Sequence, residues 1–146
     1  SKKTLSFFLA LCIFTSLSIT AFAEDTAISA NVFPTYTVTI PDTVELDSVA
    51  TIKAENILTE ASKAVKVAVT ATNQAGNAFA VSTNDNAVIS YQLKKGTSVM
   101  KIGDVMSFEQ DGTEQLTFEK LASNKLFAGQ YSGTVTFTIS YETINN

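Results

Sequence analysis

Asn84-Asp85-Asn86 and the acids Glu109, Asp111 and Glu114 are the densest groupings of oxygen ligands in the chain. Calcium is the metal such groups suit, because it takes carboxylate, amide and carbonyl oxygens. Their spacing does not follow the twelve-residue calcium loop of helical hands, and "TNDN" and "QDGT" read as hairpin turns on their own. Composition limits the remaining chemistry. The chain has no His, Arg or Trp and a single cysteine, Cys12, so neither a Ser-His-Asp triad nor a zinc site of imidazole and thiolate ligands can be built. A glycosidase needs two carboxylates facing across a cleft, one of them held protonated. The fourteen Asp and Glu residues stand singly along turns and polar phases. The expectation is therefore a non-enzymatic protein without an organic cofactor, calcium being the one metal the composition allows.

Aromatic rings are the other group able to recognise a ligand, since a carbohydrate-binding module presents them to sugar faces. Tyr36, Phe79, Phe118, Tyr131, Phe137 and Tyr141 fall on apolar phases and read as core. Phe33, Tyr91, Phe108 and Phe127 are less constrained, and Phe33, Tyr91 and Phe127 form the candidate ligand patch. The absence of Arg removes the bidentate phosphate readers and argues against nucleic acid as a partner.

These residues must be positioned by strands. No segment after residue 23 holds a 3.6-residue apolar period for long, whereas period-2 alternation rich in Val, Ile, Thr, Phe and Tyr recurs throughout. Strands are expected near Ile28–Val32, Thr35–Ile40, Ala50–Leu58, Ala64–Thr72, Phe79–Thr83, Ala87–Lys94, Val105–Phe108, Thr113–Phe118 and Tyr131–Tyr141, with "LTEASKAV" open to a helical turn instead. Turn compositions such as "NQAGN", "KKG" and "ASNK" separate them at the rhythm of a Greek-key sandwich. The expected fold is an all-β, immunoglobulin-like Greek-key sandwich of seven to nine strands. Pro34 and Pro41 confine the second strand to an edge or a sheet-switching position. Leu126-Phe127-Ala128-Gly129-Gln130-Tyr131 has the pattern of a tyrosine corner, in which a Tyr hydroxyl bonds back to backbone a few residues upstream.

The N-terminus carries a different signal. Lys2 and Lys3 precede the apolar run "LSFFLALCIFTSLSIT", which ends at Ala21-Phe22-Ala23, a pattern that signal peptidase accepts. Residues 1–23 are expected to be a cleaved secretory leader and residues 24–146 a single domain, the alternative being an uncleaved anchor. Removing 23 of the 146 residues leaves 123, with eight Lys against fourteen acids and a net charge of −6. That length buries roughly two-thirds of the unfolded surface in one core. Cys12 leaves with the leader, so the exported domain folds without disulfides, as suits a bacterial secreted protein. No membrane contact is expected after cleavage, and no sorting motif or apolar tail follows the last strand, so surface attachment is expected through the folded surface.

Two stretches carry a family resemblance. "AGQYSGTVTFTIS" resembles the end of the WxL domain of Gram-positive surface proteins, keeping Ala128, Gly129 and Tyr131 and placing Phe137-Thr138-Ile139 at the Trp-x-Leu position. "VAVTATNQAGNAFAVST" is similar to that domain's first motif region, with Phe79-Ala80-Val81 at the equivalent place. The resemblance implies a secreted sandwich at the cell surface, held to cell-wall polymer without covalent bonds or built into complexes with other surface proteins. Both replacements exchange Trp for Phe and Leu for a β-branched residue, so a glycan platform made of the tryptophans themselves would be lost.

Two alternatives stay open beside this structural or adhesive role. One is a glycan or small-ligand binding module using the loop aromatics. The other is a pilin-like homo-oligomer in which residues 24–33, with Ile28, Ala30 and Val32 alternating, donate a strand to a neighbour. The last strand also presents a row of hydroxyls, Ser132, Thr134, Thr136, Thr138 and Ser140, which favours an extended chain with a soluble, uncharged outer face.

Overall fold

Alternating apolar residues on consecutive extended segments have to bury one face each, and the chain does this with two antiparallel sheets around one core. The computed structural model describes the backbone of residues 2–8 and 25–144, and the side chains of residues 25–144. Eleven strands are described: β1 (Lys2–Phe8), β2 (Thr35–Pro41), β3 (Ser48–Leu58), β4 (Lys63–Thr72), β5 (Gln74–Ala75), β6 (Ala78–Ser82), β7 (Val88–Lys95), β8 (Ser98–Met100), β9 (Val105–Phe108), β10 (Gly112–Lys120) and β11 (Val135–Thr143). The larger sheet runs β1-β2-β3-β10-β7-β6-β5, with β8 hairpinned onto β7, and the smaller runs β11-β4-β9. The described residues contain no helix, so "LTEASKAV" is a turn at Ala61-Ser62 leading into β4.

Both sheets supply the core. Val38 and Ile40 of β2, Ile52 of β3, Leu93 of β7 and Leu116 of β10 meet Val65, Val67 and Val69 of β4 and Met106 and Phe108 of β9. Register explains how the last strand joins them. Phe137, Ile139 and Tyr141 lie opposite Val69, Val67 and Val65, and directly opposed residues of an antiparallel pair share a face. As β11 is an edge strand, its apolar phase is half-buried and packs against the core rather than filling it.

Irregularities are pinned by specific bonds. The β2–β3 ladder slips between Thr35 and Thr37, where Asn56 takes a left-handed backbone with φ 53°. Thr35 donates its hydroxyl to the Asn56 carbonyl at 2.7 Å and the Ile57 amide donates to Asp111 Oδ1 at 2.8 Å. Asp47 ties the start of β3 to β10, its amide donating to the Phe118 carbonyl and its Oδ1 accepting from the Lys120 amide at 2.9 Å.

The structure corrects the expected layout in three places. Residues 28–33 belong to no strand, so the strand expected over Ile28–Val32 does not form within the molecule. β11 begins at Val135 rather than at Tyr131. β2 has a neighbour on each side, β1 and β3, with Pro41 at its last position. The leader boundary at Ala23 and the lone Cys12 lie outside the described residues, and Lys2–Phe8 is described as a strand paired with β2.

Candidate functional site

Residues 131–134 connect the two sheets. Before β11 pairs with β4, the chain first touches β6 of the larger sheet: the Ser82 amide donates to the Ser132 carbonyl at 3.0 Å and the Ser132 amide returns a bond to Ser82 at 2.9 Å. Asn73, just past β4, locks this crossing. Its Oδ1 accepts from the Thr134 amide at 2.7 Å, and its carbonyl accepts from the Ala80 amide at 2.9 Å. Gly133 makes the close approach feasible, since a Cβ there would stand 3.0 Å from the Ala80 carbonyl oxygen and 3.1 Å from Asn73 Oδ1. The two stretches "NQAGNAFAVST" and "AGQYSGTVTFTIS" are thus bonded to each other.

The segment leading in is held by its tyrosine. Tyr131 donates its hydroxyl to the Phe127 carbonyl at 2.7 Å, the geometry of a tyrosine corner. Gly129 has φ +154°, and a Cβ on it would stand 2.9 Å from Thr83 Cγ2. The 126–131 loop therefore rests on the β6–β7 turn. That turn is "TNDN" itself: Asn86 has φ 66°, and the Ala87 amide donates to Thr83 Oγ1 at 3.1 Å.

Between this crossing and the loop from Pro41 to Leu46 lies a cleft of about 440 Å³. Phe118, Tyr91 and Val81 line it toward the core, Tyr131 and Phe137 on one side, and Asp42 and Glu45 on the other. The walls combine aromatic surface with the polar groups of Ser132 and Thr134, and among the described lining residues the only charges are the two carboxylates. Such a surface suits a neutral hydroxyl-bearing ligand better than an anion.

The motif-like residues have places in or beside this arrangement. Phe79 is buried, and its ring meets Tyr91 edge-on at 5.8 Å, while Tyr91 meets Phe118 at 5.9 Å. Val81 and Phe137 line the cleft, and Gly129 and Tyr131 form its corner loop. Ile139 sits farther along β11, half-buried against Val67.

Of the ligand patch of Phe33, Tyr91 and Phe127, only Tyr91 borders the cleft, while Phe33 and Phe127 are exposed away from its lining. Tyr91 is only 4 % exposed and belongs to the core, as does Phe108. Burial raises the Tyr91 hydroxyl above its ordinary value of 10.0, opposed by a bond with Thr72. Phe127 is 52 % exposed, but Lys125 Nζ lies 4.8 Å from its ring centroid. The signal for Tyr91 was present, because Ile89, Tyr91 and Leu93 share one apolar phase of β7.

The oxygen clusters lie in turns and at strand ends. Asn84, Asp85 and Asn86 form the β6–β7 turn, and Asp111 binds the Ile57 amide. Among the described residues no group of three or more His, Cys, Asp or Glu side chains converges as metal ligands. On the outer face of the smaller sheet Thr138 Oγ1 and Thr70 Oγ1 are 2.9 Å apart, so part of the hydroxyl row is spent stitching β11 to β4. No described helix is long and apolar enough to cross a membrane. Comparison with protein-family models, curated proteins and solved structures returned no match.

Proposed function

We propose that this chain is a secreted, non-enzymatic surface protein of a Gram-positive bacterium, an immunoglobulin-like Greek-key sandwich that associates without covalent bonds with cell-wall polymer. Residues 1–23 act as the cleaved leader in this reading, and the domain of residues 24–146 resembles the WxL domain. The observation that carries it is the joining of the two motif-like stretches at Ser82–Ser132 and Asn73–Thr134. Two segments far apart in sequence, each resembling a motif of one wall-binding domain, border the same cleft.

The recognised chemistry is a neutral glycan. Phe137 and Tyr131 offer ring surface, hydroxyls and backbone groups offer hydrogen bonds, and Asp42 and Glu45 disfavour anionic polymers at the mouth. Fractionating the native host tests the role. The mature protein is expected in the wall fraction, released by high salt or denaturant, and recovery solely from the medium contradicts a surface role.

A further inference from the structure

We infer that, once the leader is removed, the outer edge of β2 takes up residues 26–33 of a second copy as an antiparallel strand, linking copies head to tail. The inference rests on the leader reading given above.

The edge is built for a strand. Along its whole length β2 is paired with Lys2–Phe8, from Lys2 opposite Pro41 to Phe8 opposite Thr35. Removal of residues 1–23 strips that partner away and leaves seven residues of β2 with one unpaired row of backbone groups, which is a template for another chain. No charge guards it, since β2 reads Thr-Tyr-Thr-Val-Thr-Ile-Pro. Val38 and Ile40 are buried and Tyr36 packs against the same core, so an added strand would extend an existing apolar face.

The donor is the segment whose alternating residues join no strand, Ala27 before them making a single β-bridge. Ile28, Ala30 and Val32 alternate as in a strand, yet residues 28–33 are in none, and Ile28, Val32 and Phe33 are 74 %, 57 % and 42 % exposed. Their own β2 cannot accept them in the register that puts Ile28, Ala30 and Val32 opposite Ile40, Val38 and Tyr36. That register leaves only Pro34 between Phe33 and Thr35, whereas an antiparallel hairpin needs about two loop residues. An acceptor in that register must therefore be another molecule. Placing Ile28, Ala30 and Val32 opposite Ile40, Val38 and Tyr36 brings these three side chains to the apolar face, and sets Ser29, Asn31 and Phe33 against Thr39, Thr37 and Thr35 on the other. Because donor and acceptor are different surfaces, the contact is heterologous and generates a ring or a filament.

The buried side chains of the core cluster lie between Val38 and Phe118, so a chain of residues 24–146 retains them. Light scattering coupled to size exclusion is run on chains 24–146 and 1–146. Chain 24–146 is expected as concentration-dependent multiples of the monomer, and chain 1–146 as monomer, its edge filled by β1. Ala30→Pro, in the exposed segment, and excess peptide of residues 25–34 should each return 24–146 to monomer, with the melting midpoint of the variant within about 2 °C. A folded 24–146 that stays monomeric at every concentration, or association indifferent to both Ala30→Pro and the peptide, overturns strand exchange and leaves the leader reading standing. N-terminal sequencing of exported protein separates the two: a start upstream of Glu24 overturns the leader reading and, with it, the exposed edge.

Discussion

Gly129→Ala isolates the contact that seats the tyrosine-corner loop on the β6–β7 turn. The substitution has two separate costs. A φ of +154° is almost reserved for Gly, and an L residue held there costs on the order of 1–3 kcal/mol. The new Cβ also meets Thr83 Cγ2 at 2.9 Å, well inside the usual 3.5–4.0 Å between carbons, and overpacking of this kind costs about 1–3 kcal/mol. The loss should then total about 2–6 kcal/mol, a large share of the 5–15 kcal/mol typical of a domain. Thr83→Ser deletes the offending methyl but keeps the hydroxyl that accepts from the Ala87 amide, so it relieves only the second cost. In a urea-denaturation cycle the double variant should recover about 1–2 kcal/mol relative to the sum of the singles. Additivity within about 0.5 kcal/mol would refute the packing of Gly129 on Thr83, and with it the account of how the corner is held.

Three further outcomes follow from the same geometry. Tyr131→Phe removes the 2.7 Å bond to the Phe127 carbonyl and should lower stability by about 1 kcal/mol in denaturant titration, with little change in m. Leu116→Ala opens a cavity at a side chain with no exposed surface and should cost about 2–5 kcal/mol by calorimetry. The Tyr91 and Tyr36 hydroxyls are both raised above 10.0 by burial. Their neutral forms are thus favoured by folding: that stability is whole below pH 10 and is lost as pH rises through the raised values. Thermal scans should show an alkaline decline beginning near pH 10, and Tyr91→Phe should flatten part of it.

Strand positions were legible where the period-2 pattern ran for several residues. Val105–Phe108 was expected and found over the same span, and β3, β4, β7 and β10 differ from expectation only at their ends. The three-residue β8 and the two-residue β5 are too short to show a period, and form because Gly96 and Gly76, both at positive φ, turn the chain back on β7 and β6. Ile28–Val32 shows the opposite case. Its pattern is that of a strand, but a pattern does not specify a partner, and Pro34 alone is too short a loop to set Val32 opposite Tyr36 in a hairpin with β2. The last strand begins later than its alternation predicts for a non-local reason: Tyr131–Thr134 has the right alternation, yet Ser132 bonds to β6 and Asn73 captures Thr134 before pairing with β4 begins. The cleft was out of reach because the Pro41–Leu46 loop and residues 131–137 meet only through the strand order. Its parts were visible singly, as the corner tyrosine and the two Phe-centred stretches.

The most direct test of the surface role is co-sedimentation of the mature chain with purified Gram-positive cell walls. Val44 is exposed at the mouth of the cleft, beside Asp42 and Glu45, so Val44→Asp adds a third carboxylate there without disturbing the core. Thr138→Lys alters the outer face of the smaller sheet and serves as the control. The account predicts that the parent chain and Thr138→Lys sediment with the walls, while Val44→Asp binds at least about tenfold more weakly, equivalent to 1.4 kcal/mol. A parent chain that stays in the supernatant, or a Val44→Asp variant that binds as tightly as the parent, would contradict it.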